Sequence, residues 1–399
     1  MLKRENLTIL ALTQFLRGAG ASIYGVIWQP FVLSLGASMP TLGLLNSLGG
    51  AGGLITTLVQ PLGGWLADRW GRKPFIIGAG FAMMGAYALF AFAGALNVWT
   101  LVLAGVIFSG IAALSRPAVS SLTAESARGE RHASAFSLIT VAAMVPGIIA
   151  PLLGGWVADR FGYVGVFPIL IALELLAILL LWRYLRETRT SIGTPIHWRA
   201  ATGTLARWIH SHRGLIGFFC ATAADSFFWG MGWGLLNGML TDTYHFTVEQ
   251  LGVMASIMSL TWAIIQMPIG RFIDRRGTLT MMIFSESLGI PLMLIWMTQS
   301  RFEIFAASQV LFALTAATWV PITSTYLTRR VAEAERSAVF GLLNTFRGLV
   351  GFPAPAIGGL LYDWGGIRAP LLANLFGIFV VIAILVLFVH EPRAVGSKE

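Results

Sequence analysis

The chain has 399 residues, 56% of them hydrophobic and 11% charged. An ordinary soluble domain carries roughly 25% charged residues, so a water-facing globule, and with it a soluble enzyme, is excluded. A mean hydropathy of +0.76 exceeds what one anchor gives, and the length admits about twelve spans of ~20 apolar residues with short connections.

Apolar stretches bounded by charge, Gly or Pro fall at 7–34, 41–67, 74–96, 98–123, 133–158, 163–185, 214–240, 249–273, 279–299, 303–327, 337–361 and 367–389. They predict an all-α membrane protein with twelve transmembrane helices in two pseudo-symmetric six-helix bundles. The first stretch follows Lys3 and Arg4 as a signal peptide would, but its roughly 27 residues exceed an h-region of about 7–15, so it reads as an uncleaved span. The longest polar stretch, 186–213, separates an N-terminal bundle (1–185) from a C-terminal one (214–399). Trp198 and Trp208, each beside an Arg, predict that this cytoplasmic linker lies as a helix along the inner leaflet.

The net charge of +9 would suggest nucleic acid in a soluble chain, but its distribution says otherwise. With both termini cytoplasmic, 21 of the 27 Lys and Arg residues fall on the inner side, and only Arg160, Arg301 and Arg368 on the outer. Positive loops are retained inside, so the basic pI is topology, no nucleic-acid partner is expected, and the cytoplasmic membrane is the expected location. The single cysteine, Cys220, allows no disulfide framework, and the six scattered histidines form no metal-ligand cluster.

Internal repeats are the next signal. Gly64-x-x-x-Asp68-Arg69-x-Gly71 recurs as Gly270-x-x-x-Asp274-Arg275-x-Gly277 at an offset of 206. Pro151-x-x-Gly154-Gly155-x-x-x-Asp159 recurs as Pro355-x-x-Gly358-Gly359-x-x-x-Asp363 at 204, the offset that also relates Glu187 to Glu391. Inside the first half, Gly63 to Gly71 recurs as Gly154 to Gly162, 91 residues on. Three helices separate those copies, so they emerge on opposite membrane faces. Parallel halves built of inverted three-helix units are the arrangement of an alternating-access carrier, with its site near the midplane between the halves.

On these residues the sequence resembles the major facilitator superfamily over essentially its whole length. Gly64-Trp65-Leu66-Ala67-Asp68-Arg69-Trp70-Gly71-Arg72-Lys73 is similar to the family's motif A, with a degenerate copy in the second half. The resemblance implies a latch of Gly64, Asp68, Arg69, Gly71, Arg72 and Lys73, in which Asp68 bonds across the halves to the start of the eleventh helix in the outward-open state. Asp274 and Arg275 keep part of it, with Thr278 and Leu279 where Arg and Lys would follow, so the second latch should be weaker; a basic loop that merely sets topology is the plainer alternative. Gly147-x-x-Ala150-Pro151-x-x-Gly154-Gly155 resembles the antiporter motif C of that superfamily, with Ala150 in place of the usual Gly. Gly351, Pro355 and Gly358 repeat it. Proline bends the helix and glycines let a neighbour pack against the bend. The motif favours export, although a Pro/Gly packing seam alone would look similar.

Ionisable residues inside apolar spans are expensive and mark function. They are Arg17, Arg116, Glu174, Asp225, Glu286 and Arg347. The family's arrangement implies that Arg17, Arg116, Asp225 and Arg347 face the pathway, while Glu174 and Glu286 sit on peripheral helices. The four pathway charges lie about 10–18 Å deep at ~1.5 Å per residue. Arg17 and Asp225, at near-equivalent places in the two halves, could pair, either as binding chemistry or as a structural bridge. Tyr24 and Trp28 share a face with Arg17, and Trp229 and Trp233 with Asp225; Asn344 lies one turn before Arg347. These residues form the expected substrate site, unless the aromatic stripes are packing.

Three arginines against one aspartate favour an anionic group, and Asp225, with Glu286 in reserve, is the expected proton carrier. The carboxylate that drug/proton antiporters of the family carry in helix 1 is replaced here by Arg17, which weakens the case for a cationic substrate. The leading expectation is proton-coupled efflux of small amphipathic compounds, anionic or zwitterionic, by an antiporter that needs no cofactor or metal and can work as a monomer. The alternatives are an importer or flippase of organic anions or lipid-like molecules on the same fold and, from another class, a membrane sensor or membrane-embedded enzyme.

Overall fold

The computed structural model describes residues 2–50, 52–127, 132–187, 215–331 and 336–390, and every regular element among them is helical. In chain order these are α1 Leu2–Ser34, α2 Met39–Gly49, α3 Leu54–Trp70, α4 Arg72–Leu96, α5 Trp99–Ala112, α6 Ser115–Ser126, α7 His132–Met144 and α8 Ala150–Tyr184. Then come α9 Ile216–Gly232, α10 Leu236–Tyr244, α11 Val248–Arg276, α12 Thr278–Thr298, α13 Phe302–Arg330, α14 Arg336–Gly351, α15 Ala354–Gly365 and α16 Arg368–Phe388. The expected linker helix around Trp198 and Trp208 lies outside the described residues.

Five expected spans are interrupted. A Gly-rich turn parts α2 from α3, a 3₁₀ turn at Val145–Ile148 parts α7 from α8, and another at Trp233–Leu235 parts α9 from α10. Further breaks part α5 from α6 and α14 from α15. Pro146 and Pro353 account for two of them, since a ring nitrogen donates no ladder bond. Conversely, α8 holds two spans joined at Gly162, whose φ of +74° only glycine adopts readily.

That glycine explains the repeats. Three residues after the aspartate of each copy, Gly71, Gly162, Gly277 and Gly366 have φ of +96°, +74°, +83° and +63°. Each sits where one span turns into the next. The shared motif is a chain reversal at a left-handed glycine, preceded by an acidic residue at the helix end.

Among the described residues, eight helical stretches are long and apolar enough to cross a membrane. One of them, Ser134–Tyr184, has 51 residues and holds two spans by length. The expected spans below that threshold are α1, α9 with α10, and α14 with α15, and they carry Arg17, Asp225 and Arg347. Their polar residues lower their mean hydropathy, and α9–α10 and α14–α15 are also broken.

The fold divides into two compact units, Met1–Ile196 with Asn237–Ser259, and His197–Leu236 with Leu260–Glu399. In the first, Phe31, Phe90 and Phe167 are fully buried and their rings touch. In the second, Phe218 stacks on Tyr326 with ring centroids 4.5 Å apart, beside Trp319, Leu343 and Leu385. Glycines set the helix spacing in both, because side-chain volume decides how near two helices come in lipid. A Cβ at Gly358 would meet the Met231 carbonyl oxygen at 2.3 Å, whereas one at Gly341 would meet nothing within 4 Å.

Gly358→Ala is therefore expected to lower the thermal midpoint of the purified protein, by overpacking that costs about 1–3 kcal/mol. Gly341→Ala should leave it unchanged or raise it, since alanine is the better helix former by up to ~1 kcal/mol. Midpoints in one detergent check the pair.

Candidate functional site

In the first unit the central feature is an ion pair. Arg17 on α1 donates to Glu174 on α8 through Nε at 3.0 Å and Nη2 at 2.7 Å, both to Oε1. Its side chains are 17% and 7% exposed. A Cβ on Gly80 of α4 would lie 2.8 Å from Arg17 Nη2 and from Glu174 Oε1, so a glycine there makes room for the pair. The expected pairing of Arg17 with Asp225 is thus corrected: each has a partner within its own unit. Glu174, read as a peripheral residue, is the counter-charge of Arg17, because the face of α8 that carries it packs along α1.

Tyr24 and Trp28 continue the Arg17 face of α1, with ring centroids 5.4 Å apart, and both pack on Phe90. Trp28 is buried and its indole N–H is held by Asn46 Oδ1 at 2.7 Å, which makes it part of an aromatic cluster more than an open wall. Arg116, on α6, is exposed. Its guanidinium forms no hydrogen bond or ion pair among the described residues.

In the second unit Arg347 of α14 reaches α9. Its Nη2 lies 3.7 Å from Asp225 Oδ2 and its Nε donates to Ser226 Oγ at 2.9 Å. Asp225 is buried, 6% exposed, and Glu286 of α12, 1% exposed, interacts with it through the side chains. Trp319 stands beside Asp225 and Trp229 beside Glu286. Among the described residues, Glu286 Oε2 is buried without a hydrogen-bond partner. The cluster thus holds two carboxyls and one guanidinium: full ionisation leaves it one negative charge in excess, and one proton removes it. Glu286, on a helix that the resemblance makes peripheral, thus packs against Asp225 of α9.

Trp229 and Trp233 both pack on Phe312, with centroids 5.8 and 5.3 Å away. Trp233 opens the 3₁₀ break and is 45% exposed. Asn344 is exposed on α14, one turn before Arg347. Among the described residues no group of three His, Cys, Asp or Glu side chains is placed to hold a metal.

The motif-A residues are anchored locally. Arg72 pairs with Glu125, the Lys73 backbone N–H donates to Glu187 Oε2 at 2.8 Å, and Lys73 Nζ donates to the Trp182 carbonyl at 2.8 Å. Glu187 thereby caps α4 at the positive end of its dipole. The side chains of Asp68, Asp274 and Arg275, and the surroundings of Gly64, lie outside what the structure describes. In the motif-C segment Gly147 and Pro151 are buried, and a Cβ at Gly154 would meet the Ile23 side chain at 2.6 Å. Its repeat places Gly351 against Ser226 and Gly358 against Met231, and Pro355 in the first turn of α15. Sequence reasoning missed Gly80 and Ser226, both small residues whose roles exist only through a distant neighbour.

The family model for the Major Facilitator Superfamily matches residues 10–229 and again 218–399. The chain is 24% identical over 374 residues to the "Multidrug resistance protein MdtG" of Proteus mirabilis, covering 92% of this chain and 91% of that protein. It is 28% identical over 185 residues to the "Multi-drug resistance efflux pump PmrA" of Streptococcus pneumoniae, a match that spans only 46% of this chain and 46% of that pump. Among solved structures, the nucleoside transporter NupG superposes with a TM-score of 0.74 at 15% identity, over 97% of this chain and 99% of that one; at that identity the likeness is one of fold.

Removing one partner of a mostly buried pair strands the other, at a cost of about 3 kcal/mol or more. Glu174→Ala should therefore destabilise the protein strongly, and the double variant Arg17→Met with Glu174→Leu should recover most of the loss. Thermal midpoints of the three proteins check this.

Proposed function

The chain belongs to the major facilitator superfamily, a multi-pass membrane transporter, and from that premise we propose that it is a proton-coupled exporter of small amphipathic compounds. It works by alternating access in the cytoplasmic membrane, with both termini inside. The observation that carries the reading is the Asp225–Glu286–Arg347 cluster, two acids and one base on helices of an apolar bundle.

The sign of coupling follows from what a substrate brings to that cluster. A positively charged group on the substrate competes with the proton for the same carboxyl oxygens. Loading one then expels the other, which is exchange. The anionic end of such a zwitterion is served by Arg347, which is 31% exposed. Trp229 and Trp233 offer flat apolar area to its hydrophobic body. The names of MdtG and PmrA, a multidrug resistance protein and a multidrug efflux pump, support export, as does the motif-C segment with its bend at Val145–Ile148.

Arg347 also favours a second reading. A purely anionic compound that drew Arg347 away from Asp225 would leave two carboxyls without a counter-charge and would bind together with a proton. That is co-transport, and its natural direction is uptake.

Reconstitution into proteoliposomes with imposed pH gradients separates the two. Exchange predicts that zwitterionic amphiphiles move against the proton flow, and that Asp225→Asn cuts gradient-driven flux at least about thirtyfold, the factor for ~2 kcal/mol lost with one partner of a buried charge pair. Movement with the proton flow would establish the second reading, and flux indifferent to both the gradient and Asp225→Asn would refute proton coupling.

A further inference from the structure

The copy of the repeat at Gly154 to Gly162 has a partner that neither the cluster above nor the motif-A loop involves. Asp159, near the end of the fifth span in α8, straddles the start of α11. Its Oδ1 accepts the Val248 N–H at 3.1 Å and its Oδ2 the Glu249 N–H at 2.7 Å. A helix begins with N–H groups that no turn precedes, and here all of them are accounted for. Thr247 N–H donates to Gln250 Oε1 at 3.0 Å and Gln250 N–H to Thr247 Oγ1 at 3.2 Å, a capping box. The two between them go to a carboxylate about ninety residues away in sequence, placed at the positive end of a 29-residue helix.

The backbones below it are in contact. A Cβ at Gly155 would lie 2.4 Å from the Val248 carbonyl oxygen, and one at Gly252 would lie 2.5 Å from that of Pro151. One turn further, a Cβ at Gly147 would lie 3.0 Å from Ser259 Oγ. Gly147, Pro151, Gly155 and Asp159 follow one another at intervals of four, so a single face of the fifth span runs along α11 from Ser259 to Val248. The motif-C glycine and proline belong to the seam that the aspartate closes.

The seam is not the only tie. Gly238 on α10 donates its N–H to Gln29 Oε1 at 2.7 Å, and Asn237 Nδ2 donates to the Gly25 carbonyl at 3.3 Å. Leu42, fully buried, packs on Gly238. Residues Asn237–Ser259, which the sequence places in the second half, therefore form one compact unit with the first. The chain leaves that unit on one side at the 3₁₀ break Trp233–Leu235, where α9 gives way to α10. By sequence this end of the bundle lies opposite the arginine-rich loops, hence on the outer face. Asp363, the counterpart of Asp159 at offset 204, is exposed and has no bond among the described residues.

We propose that Asp159 is a releasable outer latch, a positioning residue that holds the outer ends of the seventh and eighth spans against the first half and must leave the α11 N-terminus once in each transport cycle. Two charge-assisted hydrogen bonds with fixed geometry suit this role, because they are strong when aligned and vanish once the helix end has moved away. A glycine seam adds contact without interlocking side chains, so it can part without repacking. The proposal rests on alternating access alone and is independent of proton coupling through Asp225.

The test uses the purified full chain in nanodiscs, which expose both faces, with Cys220→Ser and a reporter Leu42→Cys. A maleimide probe should label the reporter slowly. Asp159→Asn, which keeps the shape and removes the charge, should raise the labelling rate at least about tenfold, the shift expected when charge-assisted bonds to one side of a two-state equilibrium are lost. Asp159→Ser should do the same and stands in if the Asn variant does not fold. Asp363→Asn should leave the rate unchanged, and a second reporter, Ile322→Cys, in the core of the other unit, should stay protected in every variant. An unchanged Leu42→Cys rate in a folded Asp159 variant would overturn the proposal, and so would equal deprotection of both reporters, which would mean general loosening.

Discussion

A charge inside a hydrocarbon layer must find a counter-charge or a polar partner within reach, and this constraint organises the molecule. Arg17 meets it with Glu174 in the first unit, Arg347 with Asp225 in the second. Each pair ties helices that are far apart in sequence, and each needs a small neighbour: Gly80 gives the first its space, and Ser226 holds the second guanidinium by its Nε. The pairs differ in stoichiometry. Arg17 and Glu174 are balanced and suit a structural rivet, whereas the second unit sets two carboxyls against one guanidinium. That excess acid is what a transported proton would neutralise.

The other organising element is the glycine-ended repeat. Four reversals with positive φ, at Gly71, Gly162, Gly277 and Gly366, turn one span into the next, and an aspartate precedes each by three residues. A carboxylate fixed near a helix end is well placed to cap another helix, and at Asp159 it does so. Duplication would therefore equip the carrier with aspartates on both faces from a single ancestral turn.

Much of this was legible in the sequence. Span positions, the duplication and the proline bends depend on local properties, namely apolar length, glycine at the turn and proline in the ladder. Pairing was harder, because which faces of α1 and α8 meet depends on packing between segments 157 residues apart, and the composition of a span does not encode its rotation. Sequence position alone thus pairs Arg17 with Asp225, whereas packing gives it Glu174 and brings Glu286, the reserve proton carrier, against Asp225. The repeat makes Asp159 visible in the sequence but not its partners, which are backbone N–H groups and leave no residue-type signature. The break in the seventh span did leave one: Gly232-Trp233-Gly234 offers the flexibility for a 3₁₀ turn, and its meaning emerged only from the chain's passage between units at that point.

In the proposed mechanism ion pairs hold each unit together, glycine seams let segments part, and the acid cluster with its excess carboxyl would link movement to protons. Its central claim is tested most directly by recording the internal pH of lightly buffered proteoliposomes while a zwitterionic amphiphile is applied on one side. The account predicts proton movement opposite to the amphiphile, abolished in Asp225→Asn while Glu174 variants of comparable stability retain it. Amphiphile flux with no accompanying proton movement would contradict it.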